Sequence, residues 1–370
     1  MDYRQERITT LHNLTDAVPP MPDGTSAVVV PIAGESQAAV RAEHVFETLA
    51  RVDPGEVIVP LRAPREVVSA FDQWVAGFDV ETTVLWCNAP TVAPLLDAHG
   101  LDGEMGKGRD VWLGLGLAAS RADYVAVHDA DASTYSAAHV PRLLAPLGTD
   151  HGYEFVKGYY ARVEDGKLYG RLARLFVAPL LRALSTAHDD PLLAYLSAFR
   201  YPLAGEFAFT AEAARSIRAQ RAWGLEIGML GEAYDAVGEA ATAQVDLGMH
   251  RHDHRPVEGR GGLSTMAEEV GEALFRVLED DGLDPDYGTL PERYLDAADA
   301  LVRQYGADAA MNDLTYDPEN ERSQVRAYAD SIEPPGPDDR LPAWRDTDLS
   351  PTAVVEATRE ALGQSHSPPE

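Results

Sequence analysis

The sequence predicts an α/β protein: a mostly parallel sheet covered by helices, followed by a helical C-terminal region. Three observations carry that expectation. Between residues 26 and 128, short apolar runs alternate with segments of helical period. The run Asp123-Tyr-Val-Ala-Val-His-Asp-Ala-Asp131 reads as a buried strand that ends directly in two carboxylates. Beyond Asp131 the alternation breaks down, and from Leu263 onward the pattern is mainly helical.

Taken in order, Ser26 to Pro31 is a continuous apolar run bounded by turn residues, which predicts a buried strand. Ser36 to Val52 predicts a helix whose inner face holds Val40, His44, Val45, Thr48 and Leu49. Strands are expected at 56–60 and 82–87, with helices at 64–75 and 91–100. A glycine-opened helix at 107–119 leads into the strand at 124–128. In the second half, strands are expected at 154–161 and 243–248, with a short strand closing the Pro/Gly-marked loop 201–210. Helices are expected at 170–184, 211–219, 225–237, 263–278 and 290–305. The tail from Glu333 is acidic and Pro-rich, which suits either a wrap-around arm or a flexible linker before a last helix near 351–362. The chain thus divides into an N-terminal arm (1–23), an α/β domain (24–258), a helical region (259–332) and a tail (333–370).

Composition narrows the function classes. At 370 residues and 45% apolar content, the chain can bury a real core. No apolar run reaches the roughly 20 residues of a membrane span. The N-terminal residues lack a signal-peptide pattern and Cys87 is the only cysteine, so a cytoplasmic location is expected and disulfides have no structural part. Net charge is −29, spread along the chain, and only Lys107, Lys157 and Lys167 are lysines. Such a surface fits a salt-rich cytoplasm, where self-repulsion is screened, and argues against nucleic-acid binding.

Several short motifs could carry chemistry, each with a plainer reading beside it. Asp129-Ala-Asp131 at the carboxyl end of a strand is suited to Mg²⁺ or Mn²⁺ with phosphate, or is a solvated acidic loop. Pro31-Ile-Ala-Gly-Glu35 places a carboxylate after the first strand, where it could accept from a ribose or base, or serve the next helix as a cap. Gly106-Lys107-Gly108 at a helix start could let backbone N–H groups and an ammonium meet a phosphate, or be a flexible loop. His250-Arg-His252-Asp-His254 could present imidazoles to a metal, or form a surface turn. Gly205-Glu206 and Gly224-Leu-Glu226-Ile-Gly228 set carboxylates among glycines, where sugar hydroxyls could be held, or are a loop and a helix start. Gly170-Arg171 before a helix is a phosphate clamp or a surface arginine.

The order of these parts is more specific than any one of them. Together with Pro202-Leu-Ala-Gly-Glu206, Gln244-Val-Asp-Leu-Gly248 and His252-Asp-His254-Arg-Pro256, the succession resembles the glucosyl-3-phosphoglycerate synthases, relatives of the mannosyl-3-phosphoglycerate synthases, over about residues 26 to 280. The resemblance implies a GT-A fold: a Rossmann-like nucleotide-sugar-binding domain with a mixed sheet, plus the helical C-terminal region. It implies a metal-dependent retaining glycosyltransferase that moves glucose from UDP-glucose to 3-phosphoglycerate, toward a compatible solute. It also implies a homodimer.

By the same resemblance, Pro31, Ile32, Ala33 and Glu35 hold the uridine, and Lys107 sits by the nucleotide. Asp129 and Asp131 form the Asp-x-Asp pair that, with His252, holds the metal, Asp131 being the direct ligand. Glu226 grips the glucose hydroxyls, and Leu203, Gly205 and Glu206 lie on the sugar and acceptor loop. Asp131, Glu226 and Lys107 are the residues expected to serve catalysis. Arg171 holds the acceptor phosphate with His254 nearby. Ala173 stands where the family commonly has Thr, and His254 where it commonly has Asn, so both departures fall in the acceptor site. The alternatives are a mannosyl transferase using GDP-mannose or one with another small acceptor, a sugar nucleotidyltransferase, and a non-catalytic nucleotide-sugar sensor.

Overall fold

The computed structural model describes residues 4–34, 38–251 and 263–363. Its strands are β1 (Thr9–Leu11), β2 (Ser26–Val29), β3 (Ile32–Ala33), β4 (Glu56–Arg62), β5 (Thr82–Trp86), β6 (Tyr124–Val127), β7 (Phe155–Ala161), β8 (Val163–Glu164), β9 (Lys167–Leu168), β10 (Phe207–Thr210) and β11 (Thr242–Met249). Its helices are α1 (Ala38–Val52), α2 (Arg65–Val75), α3 (Val92–Asp97), α4 (Lys107–Arg121), α5 (His139–Leu144), α6 (Ala178–Ala187), α7 (Pro191–Ala198), α8 (Ala211–Arg215), α9 (Leu225–Ala236), α10 (Leu263–Asp280), α11 (Leu290–Met311), α12 (Pro318–Ala329) and α13 (Pro351–Leu362).

Nine strands form one mixed sheet in the order β1-β11-β7-β10-β6-β2-β4-β3, with β5 on β4, and β8–β9 is a separate hairpin. β10 runs antiparallel to both neighbours, while the other pairings in the sheet are parallel. The central strands are apolar on both faces because helices cover both. Val28, Val29, Val57, Ile58, Val59, Val125 and Val127 have no exposed surface.

The topology places a crevice. From β2 the chain moves outward to β4 and β5, then returns through α4 to β6 on the other side of β2. Ligands bind at such a switch point, beyond the carboxyl ends of the strands. The ends of β2, β6, β7 and β11 lie at this edge. So does the beginning of β10, because it is antiparallel, and so do the N-termini of α4 and α9, which precede β6 and β11.

The expected elements appear with shifted ends, and several differences have physical causes. The first strand stops at Val29 and resumes as β3, which pairs with Leu61 and Arg62. In α1, Phe46 is buried and His44 is not; the His44 ring instead reaches the Tyr135 carbonyl at 2.7 Å. The expected helix 170–184 contains a π-helical turn, Ala173–Val177, before α6 begins. The expected helix 211–219 ends at Arg215. The N-terminal arm adds a strand, since β1 pairs with β11. α5, α7, α12 and the β8–β9 hairpin were not expected from the sequence.

The Pro-rich tail is a wrap-around arm. Leu341 pairs with Ala219, and Trp344 lies stacked on Trp112 with ring centroids 4.1 Å apart. The two indoles also donate to main-chain carbonyls, Trp344 to Trp112 and Trp112 to Pro342, so both polar N–H groups are satisfied on burial. Gly116 of α4 is required there, because a Cβ would overlap the Trp344 ring. α13 then packs on α3, α4 and β5, where the Thr358 hydroxyl accepts the Trp86 N–H. The arm therefore braces α4, the helix whose first residue is Lys107.

Candidate functional site

Lys107, Asp129 and Glu226 meet at the crevice. The Lys107 ammonium lies 2.7 Å from an Asp129 oxygen and 2.8 Å from a Glu226 oxygen. Asp129 comes off the end of β6, and the two others open α4 and α9. What brings the two helix starts together is glycine. A Cβ at Gly106 or Gly108 would collide with the backbone of residues 220–222, and the Arg109 N–H donates to the Arg221 carbonyl at 2.9 Å. The 220–224 segment leads directly into α9. These glycines are thus needed for close docking of two backbone segments, a different reason from the anion cradle the sequence suggested. Gly224 and Gly228 are likewise taken up by packing, against α10 and against Gln220.

The electrostatics follow from burial. Desolvation alone would lower the pKa of Lys107, but the Asp129 and Glu226 carboxylates outweigh it and raise it, so the ammonium stays charged. Glu206 is 1% exposed and neither of its oxygens makes a well-formed hydrogen bond. Burial first, then the charge of Asp129, pushes its pKa up to about 7. The Tyr160 hydroxyl beside it acts in the other direction. Gly205 packs so closely on the Asp129 carboxylate that a Cβ would overlap it.

Asp131 is half-buried two residues further on. The loop after it is tied to the end of β11: Ser133 donates to the Arg251 carbonyl at 2.8 Å, and Arg251 donates to the Thr134 hydroxyl at 3.0 Å. The His250 ring, stacked on Tyr160 with centroids 4.1 Å apart, is held neutral by burial, with its pKa near 4, while Asp129 and Asp131 pull the other way. The Ser133–Arg251 hydrogen bond places the loop that follows Asp131 beside the end of β11. His252, His254 and Glu35 lie outside the described residues. Among the described residues, no three His, Cys, Asp or Glu side chains converge as a metal cage.

Of the other expected residues, Pro31 is half-buried, Ile32 is buried and Ala33 is exposed at the end of β3. Leu203 is half-buried. Arg171 lies further along the same edge, after Gly170, whose φ is +72° and whose Cα faces the Tyr201 ring. Tyr201 in turn packs on Tyr160, centroids 4.9 Å apart, so a run of aromatic rings joins the Arg171 region to Glu206. Ala173 is buried at the start of the π-helical turn, an irregularity common at functional sites. Lys157 and Tyr160 have no role in the sequence reading, and His250 has one only as the first of the three alternate histidines considered for a metal. The signal for Lys157 was present, since it is one of three lysines in the chain.

No family model matches the chain. Glucosyl-3-phosphoglycerate synthase of Methanococcoides burtonii is 32% identical over 375 residues, covering 93% of each chain. Among solved structures, glucosyl-3-phosphoglycerate synthase of Mycobacterium tuberculosis, in complex with Mn²⁺, UDP-glucose and phosphoglyceric acid, superimposes with a TM-score of 0.52 at 26% identity. The match covers 71% of this chain and 82% of that one. Mannosyl-3-phosphoglycerate synthase of Rubrobacter xylanophilus gives a TM-score of 0.55 at 25% identity, covering 71% and 77%. With a relative matched along nearly its whole length and a GT-A sheet whose switch point gathers the motif residues, the chain is a glycosyltransferase and belongs to the glucosyl-3-phosphoglycerate synthase family.

Proposed function

We propose that the chain transfers glucose from UDP-glucose to 3-phosphoglycerate, with a divalent cation bound and with retention at the anomeric carbon. The observation that carries this reading is the three-way contact of Lys107 with Asp129 and Glu226 at the switch point of the sheet. The proposed division into a catalytic domain over 24–258 and a helical region over 259–332 assigns these three residues to the first. Lys107 offers a held positive charge to the donor phosphates, and Glu226 accepts from the glucose hydroxyls with its remaining lone pairs. Pro31, Ile32, Ala33 and Glu35 would line the nucleoside end, and Leu203, Gly205 and Glu206 the sugar end.

Asp131, Asp129 and His252 would hold the cation. The described part of this set fits: two carboxylates two residues apart crowd one edge beside a neutral imidazole, and oxygen donors suit Mn²⁺ or Mg²⁺. When bound, the cation supplies positive charge against the departing diphosphate. Arg171, with His254, would orient the acceptor phosphate, and Ala173 leaves that pocket without the hydroxyl of relatives. No nucleophile is assigned. The acceptor hydroxyl would give its proton to the departing phosphate on the same face, so the protein's part is placement and charge. We also propose a salt-rich cytoplasm, on the charge of −29 and the three lysines, and, from the family resemblance alone, a homodimer. Among the described residues, no helix is long and apolar enough to cross a membrane.

The likeness to a mannosyl-3-phosphoglycerate synthase makes GDP-mannose the second donor to test. The chain should be incubated at high salt with Mn²⁺ and each donor, against 3-phosphoglycerate and glycerol 3-phosphate, with product mass and anomeric configuration read out. Glucosyl-3-phosphoglycerate of unchanged configuration is the expected product. Asp131→Ala should cost at least ~100-fold in kcat/KM, with little change in Tm. Full activity in that variant would end the metal assignment.

A further inference from the structure

Lys157 sits in the middle of the sheet on β7, between β10 and β11, and is 1% exposed. Its ammonium donates to the Ala204 carbonyl and lies 5.3 Å from the centre of the Phe207 ring. A buried ammonium is expensive unless charges of opposite sign surround it, and an apolar residue of the same length would fill the space without that cost. The surrounding charges here are those of the crevice: Glu226, Glu206 and Asp129 attract it, and Lys107 repels it.

We propose that Lys157 is a positioning residue for the donor site, which it serves by pinning the Ala204 carbonyl so that Gly205 holds the Asp129 carboxylate in place for the cation and the nucleotide. The inference rests on the donor-site reading above. The contacts form one line. Lys157 fixes Ala204, and the next residue, Gly205, packs on Asp129 so tightly that no Cβ fits between them. Asp129 then takes the Lys107 ammonium at 2.7 Å, and Lys107 takes Glu226 at 2.8 Å. The charges agree with this arrangement. Lys107 and Lys157 face Asp129, Glu206 and Glu226, so two positive charges meet up to three negative ones. Without Lys157 the loop loses its anchor, and Glu206 and Asp129 are left to repel each other across it.

The test uses the full chain with Lys157→Met, Gly205→Ala and the double variant. The readouts are the Kd of UDP at fixed Mn²⁺ by calorimetry, and the KM for donor and acceptor separately. Lys157→Met should weaken UDP–Mn²⁺ binding at least tenfold and raise the donor KM, leaving the acceptor KM within twofold. Gly205→Ala, which displaces Asp129 without touching Lys157, should do the same. The double variant should be no worse than the weaker-binding single one, because both act through one carboxylate. A parental Kd in folded Lys157→Met, or effects that multiply in the double variant, would overturn the proposal. Should Lys157→Met not fold, a parental Kd in Gly205→Ala overturns it alone. Asp131→Ala separates the two levels: if it too keeps the parental Kd, the donor-site reading fails; if it alone loses binding, only the role of Lys157 does.

Discussion

The two flanks of the crevice both contain buried ion pairs, yet they are built to different charge balances. On the flank proposed to hold the donor, one ammonium, Lys107, is shared by Asp129 and Glu226, with Glu206 close by. On the flank proposed to hold the acceptor, the Arg174 guanidinium makes two bonds of 2.9 Å to the two oxygens of Glu321. There the Tyr316 hydroxyl also donates to Glu321, and the Tyr305 ring lies 4.7 Å from the guanidinium. The second set is neutral and geometrically complete, a bidentate pair between the π-helical turn and α12. The first carries surplus negative charge at an opening. A buried pair with nothing left over fastens elements together, whereas a cluster with surplus charge awaits a ligand. Arg174 lies three positions after Arg171, and the same contrast divides them: one arginine is used up by the scaffold, and the other is the proposed phosphate holder.

The strongest way to break the donor flank is to push its two helix starts apart. Gly108→Ala places a methyl group into the Gln220 carbonyl, a backbone group that cannot turn aside. We expect a loss of more than about 4 kcal/mol in stability, the range reserved for severe defects, and donor binding lost with it because Lys107 and Glu226 separate. Urea unfolding of parent and variant measures the first, and UDP–Mn²⁺ calorimetry the second. Parental values of both would show that residues 220–222 yield, and that the glycines have another reason.

The acceptor flank should fail differently. Arg174→Met leaves Glu321 buried and unpartnered by charge, a change that typically costs about 3–5 kcal/mol. Because α12 and the π-helical turn lose their tie, the acceptor KM should rise several-fold while the Kd of UDP–Mn²⁺ stays within twofold. Thermal unfolding and the two constants give the comparison directly. Equal losses on the donor and acceptor constants would mean that the flanks are coupled and do not act separately.

What the sequence revealed of this arrangement was the part encoded locally. A strand running straight into Asp129-Ala-Asp131 shows its carboxylates at the sheet's edge within nine residues, and the structure places them there. The Gly106-Lys107-Gly108 motif showed that Lys107 opens a helix, but its partner Glu226 is 119 residues away, and their meeting depends on two backbones docking at glycines. No local pattern reports such a contact. The same holds for Lys157, whose rarity marked it while its surroundings came from two strands distant in sequence. Tertiary packing also overrode local period in α1, where the sheet took Phe46 and left His44 outside. The tail could be read only as arm or linker, because Trp344 is an arm residue solely by virtue of Trp112 and Gly116 beneath it.

The smallest expected effect sharpens the contrast in surplus charge. Glu206 is buried, and burial together with Asp129 raises its carboxyl pKa to about 7, against 4.5 in the unfolded chain. A group whose folded pKa is raised binds its proton more tightly when folded. Its contribution is fully present below about pH 4.5 and is lost as pH rises through about 7. The parent should therefore lose on the order of 1–3 kcal/mol from this group between pH 5 and pH 8. Glu206→Gln, which stays neutral throughout, should flatten that slope and become the more stable of the two at pH 8. Urea midpoints at pH 5, 6.5 and 8, in one fixed salt concentration, measure it. Mn²⁺ with UDP should shrink the difference, because a bound cation offsets the charge of Asp129 that helps to hold the proton on Glu206. If the slopes of parent and variant coincide, the surplus negative charge is borne elsewhere, and the donor flank is closer to neutral than its side chains suggest.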